Sequence, residues 1–280
     1  MSLGGLATIA RLTLLEASRR RITLAAFSGG SACVLIFAVS VYFIAGTPQL
    51  REAPSVLHRL QLQVLTLAGL YVVNFLVVAA AVLLPVDTLS GEIASGVMQT
   101  LASKPIPRSS IVLGKFLAYW MMLAGYTAAM VLGVVLSMRL ITGFAQAHVL
   151  AATALMLLQA TVLLSIVFAG GVFLGTVANG VVAFAFYAVA FIGGWIEQIG
   201  VVAARSVNAR YIGTVISLAS PVDALWRRAI HMLEPPVMSQ VLLTPFSAIS
   251  VPTAAMVWWA VAYAIVAISI AVVRFERRAL

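Results

Sequence analysis

Apolar positions along this chain fall into six long runs, and the intervals between them hold most of its charge. A run of about 20 apolar residues with few charges predicts a membrane-spanning helix. The pattern places spans over residues 22–45, 64–84, 111–138, 149–174, 181–196 and 253–273. Gly46-Thr47-Pro48 ends the first run and Pro85 ends the second. The third is longer than a bilayer requires, so it tilts or projects before Arg139 closes it. Gly114, Gly125 and Gly133 along it permit close helix approach. Asn179-Gly180 predicts a tight turn over 175–180, making the fourth and fifth spans antiparallel neighbours. The fifth run is short and ends at Glu197-Gln198.

Three intervals carry patterns of their own. In residues 1–21, Leu6, Ile9, Leu12 and Leu15 lie on one broad helical face, with Glu16 intruding and spaced to pair with Arg20. An interfacial helix along the inner leaflet is favoured there over a frayed leader. In residues 86–110, Leu89, Ile93, Val97 and Leu101 recur every four residues as one apolar stripe, with Glu92, Ser95 and Gln99 away from it. Pro105 and Pro107 should stop this helix near Ser103, and Ser109 or Ser110 should cap the next. In residues 199–252, Ser220-Pro221-Val222-Asp223 reads as a helix start, with Ser220 as the cap. Val222, Leu225, Trp226, Ala229 and Leu233 mark one face of that helix, and Asp223 and Arg227 are spaced to pair on another. Glu234-Pro235-Pro236 stops it. The expectation is a helix flat on the membrane surface with Trp226 at headgroup depth.

Composition settles the solvent. The chain is 63% hydrophobic and 9% charged, where a soluble domain is about one quarter charged. Its one cysteine, Cys33, excludes a disulfide scaffold and reads as a small apolar residue inside a span. The net charge of +9 sits at the edges of the apolar runs, where anionic headgroups favour it, and no basic stripe interleaved with aromatic residues points to nucleic acid. The first run is too long for a signal-peptide core, so Met1 onward is expected in the mature protein. With six spans both termini share a side. Ten of the 17 basic residues fall on that side, which places both termini and the 86–110 hairpin in the cytoplasm. The basic residues of 199–252 are the main opposition to this orientation.

The chain lacks G-x-x-x-x-G-K-[ST], so it cannot cradle ATP phosphates itself. His58, His148 and His231 are scattered, no metal-ligand set is visible, and no nucleophile–base pair stands out. No catalytic residue and no metal ligand are assigned. Asn74 and Gln159 are polar residues inside spans that either bond between helices or touch a substrate. Lys115 either snorkels to the headgroups or pairs with Asp87 or Glu92. Ion-coupled carriers need an ionisable group within the membrane. Here Lys115 and Glu197 both lie near span ends, so the energy for transport should come from elsewhere.

The pattern Glu92-x3-Gly96-x4-Leu101-x-Ser103-Lys104-Pro105-Ile106-x-Arg108, followed by Gly114-Lys115-Phe116, resembles the cytoplasmic coupling segment of ABC-2 type transporter permeases. The resemblance implies an all-α integral membrane protein and one domain over 1–280. Its parts are an elbow helix at 1–21, six spans, a coupling hairpin at 86–110 and an extracytoplasmic loop at 199–252 bearing a surface helix. It implies the membrane-spanning subunit of an ATP-driven transporter, an exporter, in a bacterial cytoplasmic membrane. Glu92, Ile93, Gly96, Val97, Leu101, Lys104 and Arg108 would couple to a separate ATP-binding subunit. Glu92 would pair with a basic partner residue or cap its own hairpin, Gly96 would allow close backbone approach, and Arg108 would anchor at the headgroups. ATP and Mg would be bound by two copies of that subunit, with no cofactor in this chain, and a second permease chain would complete a homodimer or heterodimer. Pro221-x-Asp223-x3-Arg227 also resembles an element of the branch that includes the nitrous-oxide reductase maturation permease. The alternative function is a secondary transporter or channel without an ATPase; an integral membrane enzyme is the third.

Overall fold

A computed structural model describes residues 3–47, 55–96, 107–202, 207–234 and 250–278. The described residues form helices and turns and contain no strand. In chain order the helices are α1 (Leu3–Ser18), α2 (Arg21–Ala45), α3 (Ser55–Leu83), α4 (Ser90–Ala94), α5 (Arg108–Thr142), α6 (Val149–Phe173), α7 (Thr176–Val202), α8 (Val207–Ala219), α9 (Val222–Leu233) and α10 (Ala254–Glu276). Six of them, α2, α3, α5, α6, α7 and α10, are long and apolar enough to cross a membrane.

Helix α6 is the axis of the bundle. It contains no charged residue and is apolar all round, and such a helix is stable only when covered on every side. Helices α3, α5, α7, α9 and α10 all pack on it. By contrast, α2 leaves Leu35, Ile36, Tyr42 and Phe43 exposed, a surface that only lipid tails or another apolar chain can cover.

The spans run where the apolar runs predict, with extended ends. Helix α3 begins nine residues before the expected 64, at Ser55. Helix α5 has 35 residues, about 50 Å at 1.5 Å per residue, so it projects well beyond a 30 Å hydrocarbon layer. It ends at Gly143, whose φ of 71° is the left-handed conformation that favours glycine and lets its N–H reach Arg139 O. Of its three glycines, Gly114 lies against Ile9 of α1 and Gly133 against Val34 of α2, but Gly125 faces open space. At its start, neither Ser109 nor Ser110 is the cap: Pro107 takes that position without a side-chain bond.

Both termini lie at one end of the bundle. Helix α1 packs on α5 with Ala10, Thr13 and Ala17 buried, and Arg108 at the start of α5 bonds the last turn of α10.

Two expectations fail in the second half of the chain. Asn179-Gly180 makes no turn. The break comes earlier, at Leu174 with extended backbone, and Asn179 lies inside α7 with its side-chain amide donating to Val167 O. A buried bond to the preceding helix therefore overrides the turn preference of the Asn-Gly pair. The second failure is larger. The helix expected flat on the surface, over 222–233, is buried instead. Helix α8 folds back along α7, and α9 then returns through the interior against α6. Trp226 is only 2% exposed and meets the Tyr71 ring edge-on at 4.9 Å, far from headgroup exposure. Ser220 does not cap α9 either; its hydroxyl donates to Phe186 O, about ten residues into α7, and Pro221 takes the cap position. At its other end, Leu233 O accepts from both Gln63 and Gln146, which ties α9 to the end of the bundle opposite the termini. The α8–α9 pair is thus re-entrant, entering and leaving from that same end.

Candidate functional site

At the end that holds the termini, the α3–α4 corner gathers the ends of five other helices. Leu83 is the last residue of α3, and Asp87 sits in the turn that follows. Its carboxylate accepts from Thr176 at the start of α7, at 3.0 Å. Arg20, between α1 and α2, stands 4.0 Å from Asp87 and pairs with Glu16 at 2.7 Å, the expected i,i+4 pair. Gly91 faces the Asp87 carboxylate so closely that any Cβ there would collide with it. Ser90 donates to Val86 O or shares its proton with Thr176, 3.0 Å away. The corner is thus knitted to α1, α2 and α7 by a continuous polar chain.

One turn on, Glu92 accepts a 2.5 Å bond from Lys115 of α5. The lysine side chain is 5% exposed and the glutamate 13%, so Lys115 pairs inward instead of snorkelling. The other carboxylate oxygen of Glu92 is buried and has no hydrogen-bond partner. The Arg108 guanidinium donates to Glu276 O and Arg278 O at 3.2 and 2.8 Å. Arg278 in turn bonds Val172 O at the end of α6, and Arg274 lies over the Phe173 ring. This satisfies carbonyls that the last turns of α6 and α10 would otherwise leave open.

The helix expected from Leu89 to about Ser103 is much shorter. Helix α4 covers Ser90–Ala94, and Gly96 follows with a φ of 76°. A left-handed residue ends an α-helix, so glycine is needed at 96 for backbone conformation. The stripe also points inward at its start: Leu89 is buried and Ile93 packs on the same core. Val97, Leu101 and Lys104 lie outside the described residues.

The two polar span residues are both interior. Gln159 on α6 is fully buried, with neither side-chain oxygen nor nitrogen bonded. Asn74 on α3 is buried with an unbonded oxygen. The structure therefore does not bond them to each other.

A second polar centre lies toward the opposite end, and residue spacing alone showed only its Asp223–Arg227 half. Arg227 of α9 donates to Glu197 of α7 at 3.0 Å and to Ser217 of α8 at 3.0 Å. Its Nε stands 2.9 Å from Asp223, an ion pair without hydrogen-bond alignment. Ser250 donates to the remaining Glu197 oxygen. Glu197, one residue from the end of the Thr176–Gln198 span as expected, thus belongs to a buried charge cluster at that end of the bundle. Among the described residues no three His, Cys, Asp or Glu side chains gather as a metal-binding group.

Six apolar spanning helices around a buried axis define a multi-pass membrane protein. A family model described as ABC-2 family transporter protein matches residues 8–280, and the chain belongs to that family, whose members are membrane components of transport. No curated protein matches it.

Proposed function

We propose that the chain is the membrane-spanning permease of an ATP-driven exporter, with the 86–110 hairpin as the seat of a separate ATP-binding subunit. Family membership supports an ATPase partner. The observation that singles out the hairpin is its wiring: Asp87, Ser90, Glu92 and Arg108 join it to α5, α7 and α10. A load applied there reaches several spans as a rigid displacement, the kind of movement by which packed elements pass on a switch. In this reading two ATPase copies bind ATP and Mg, two permease chains form the pathway, and both termini face the cytoplasm of a bacterial cell. Glu92 positions the hairpin through Lys115, while Val97, Leu101 and Lys104 meet the partner.

The test is purification of the chain from its native host in mild detergent, with every co-purifying subunit identified by mass. A P-loop protein recovered in amounts equal to the permease is expected. A chain that purifies alone in all detergents, with no associated ATPase activity, would overturn the reading and bring ion-gradient transport forward.

A further inference from the structure

The centre around Arg227 has a charge imbalance. Two carboxylates, Glu197 and Asp223, share one guanidinium, and all three side chains are less than a tenth exposed. If both carboxylates ionise, the cluster carries one net negative charge in a medium that solvates charge poorly. One bound proton makes it neutral. Removing a charge from such a site is favoured strongly enough to move a carboxyl toward neutral pH.

Among the described residues the surrounding groups do not correct the imbalance. Helix α6 brings no titratable residue. Helix α8 brings the Ser217 hydroxyl. Helix α3 brings Tyr71, and α7 brings Tyr187 besides Glu197; both phenols sense Asp223, but neither supplies a positive charge. Arg228 turns away to donate to Pro252 O. Glu234, at the end of α9, is also felt at Tyr71. Burial pushes the Asp223 carboxyl up to about 7; Arg227 opposes this and Glu197 adds to it.

The cluster also sits where its charge has mechanical consequences. Its five side chains come from four segments, α7, α8, α9 and the stretch entering α10, so it is the polar clasp of the re-entrant pair. Gly194 lies against the Asp223 carboxylate with no room for a Cβ, so any change at Asp223 is felt directly by α7. Ser250, half-buried, donates to Glu197 from the outer side of the cluster's described residues.

We propose that Glu197, Asp223 and Arg227 bind one exchangeable proton from the end of the bundle opposite the termini, and that its binding tightens the re-entrant pair against α7. This holds whatever drives transport, because it rests only on the clasp. The proton belongs to the carboxylate pair as a unit and not to one of its members.

The test uses the full chain in lipid nanodiscs and two readouts. Infrared difference spectra over about pH 5 to about pH 9 should show a protonated-carboxyl band that titrates near neutral pH, a range where ordinary exposed carboxyls are silent. Asp223→Asn and Glu197→Gln should each abolish that band, and Asp87→Asn should keep it. A raised carboxyl contributes stability that is fully present below its ordinary range and is lost as pH rises through about 7. The wild-type melting temperature should therefore fall across this window more steeply than that of Asp223→Asn. Absence of the band in the wild type, or its persistence in both variants, would overturn the proposal. Equal pH slopes in wild type and Asp223→Asn would overturn the tightening.

Discussion

Lys115 and Glu92 meet at 2.5 Å across the base of the hairpin, both largely shielded from water. A buried ion pair is weak evidence for net stability, but breaking it on one side leaves a charge stranded. Lys115→Met should therefore lower the unfolding free energy by about 3 kcal/mol, and Lys115→Met/Glu92→Gln should recover much of that loss. Thermal unfolding of the purified variants checks this, and a double variant no better than the single would refute it. Gly194 is the matching site at the other end. Gly194→Ala forces a methyl into the Asp223 carboxylate and should cost about 1–3 kcal/mol, the usual range for overpacking. At this scale the sequence was half legible. The spacings of Glu16 with Arg20 and of Asp223 with Arg227 announced their pairs, because helical neighbours are local. Arg227 with Glu197, and Arg108 with the Glu276 and Arg278 carbonyls, join positions far apart in the chain, and no periodicity encodes them.

Helices α8 and α9 show where an element can be read correctly and still be misplaced. The alternation over 222–233 gave the right helix, the right apolar face and the right stop before Pro235. A polar face on a short helix beside a membrane suggests water or headgroups. Here it meets Glu197 and Ser217 inside the protein instead, and a one-dimensional pattern cannot say what covers a face. The same limit applies to the hairpin, where Leu89 and Ile93 turn to the core. Replacing Cys33 with serine and placing single cysteines along α9 distinguishes a buried from a surface helix. Ala224→Cys and Ala229→Cys, at fully buried positions, should resist a water-soluble maleimide, while His231→Cys, at an exposed position, should react at least tenfold faster. Comparable rates at all three would return the helix to the surface.

At the scale of the whole molecule, the six spans were legible because lipid imposes a simple demand on length and polarity. Their packing order was not: α6 became the axis because it alone lacks both charge and a polar face, while α2 was left with an apolar outer side. The polar structure collects at two levels. One is the knot at the end of the termini, where Arg20, Asp87, Glu92, Lys115 and Arg108 tie helix ends together. The other is the clasp around Arg227. Spans rigid between two such levels suit a protein driven from one end. If the orientation is as proposed, a water-soluble reagent confined to the extracytoplasmic side should label His231→Cys in intact cells without permeabilisation. Labelling only after permeabilisation would invert the topology.

The proposed role of the hairpin is to receive the motion of an ATPase. Its most direct test is the ATP hydrolysis rate of the purified permease–ATPase assembly in nanodiscs, with Leu101→Arg and Lys104→Glu compared with wild type and with Arg228→Ala at the far end. Both hairpin variants should keep the permease folded but lose the partner or drop its permease-dependent activity at least tenfold, about 1.4 kcal/mol or more of coupling, while Arg228→Ala stays close to wild type. Hairpin variants that retain the ATPase at full activity would contradict it.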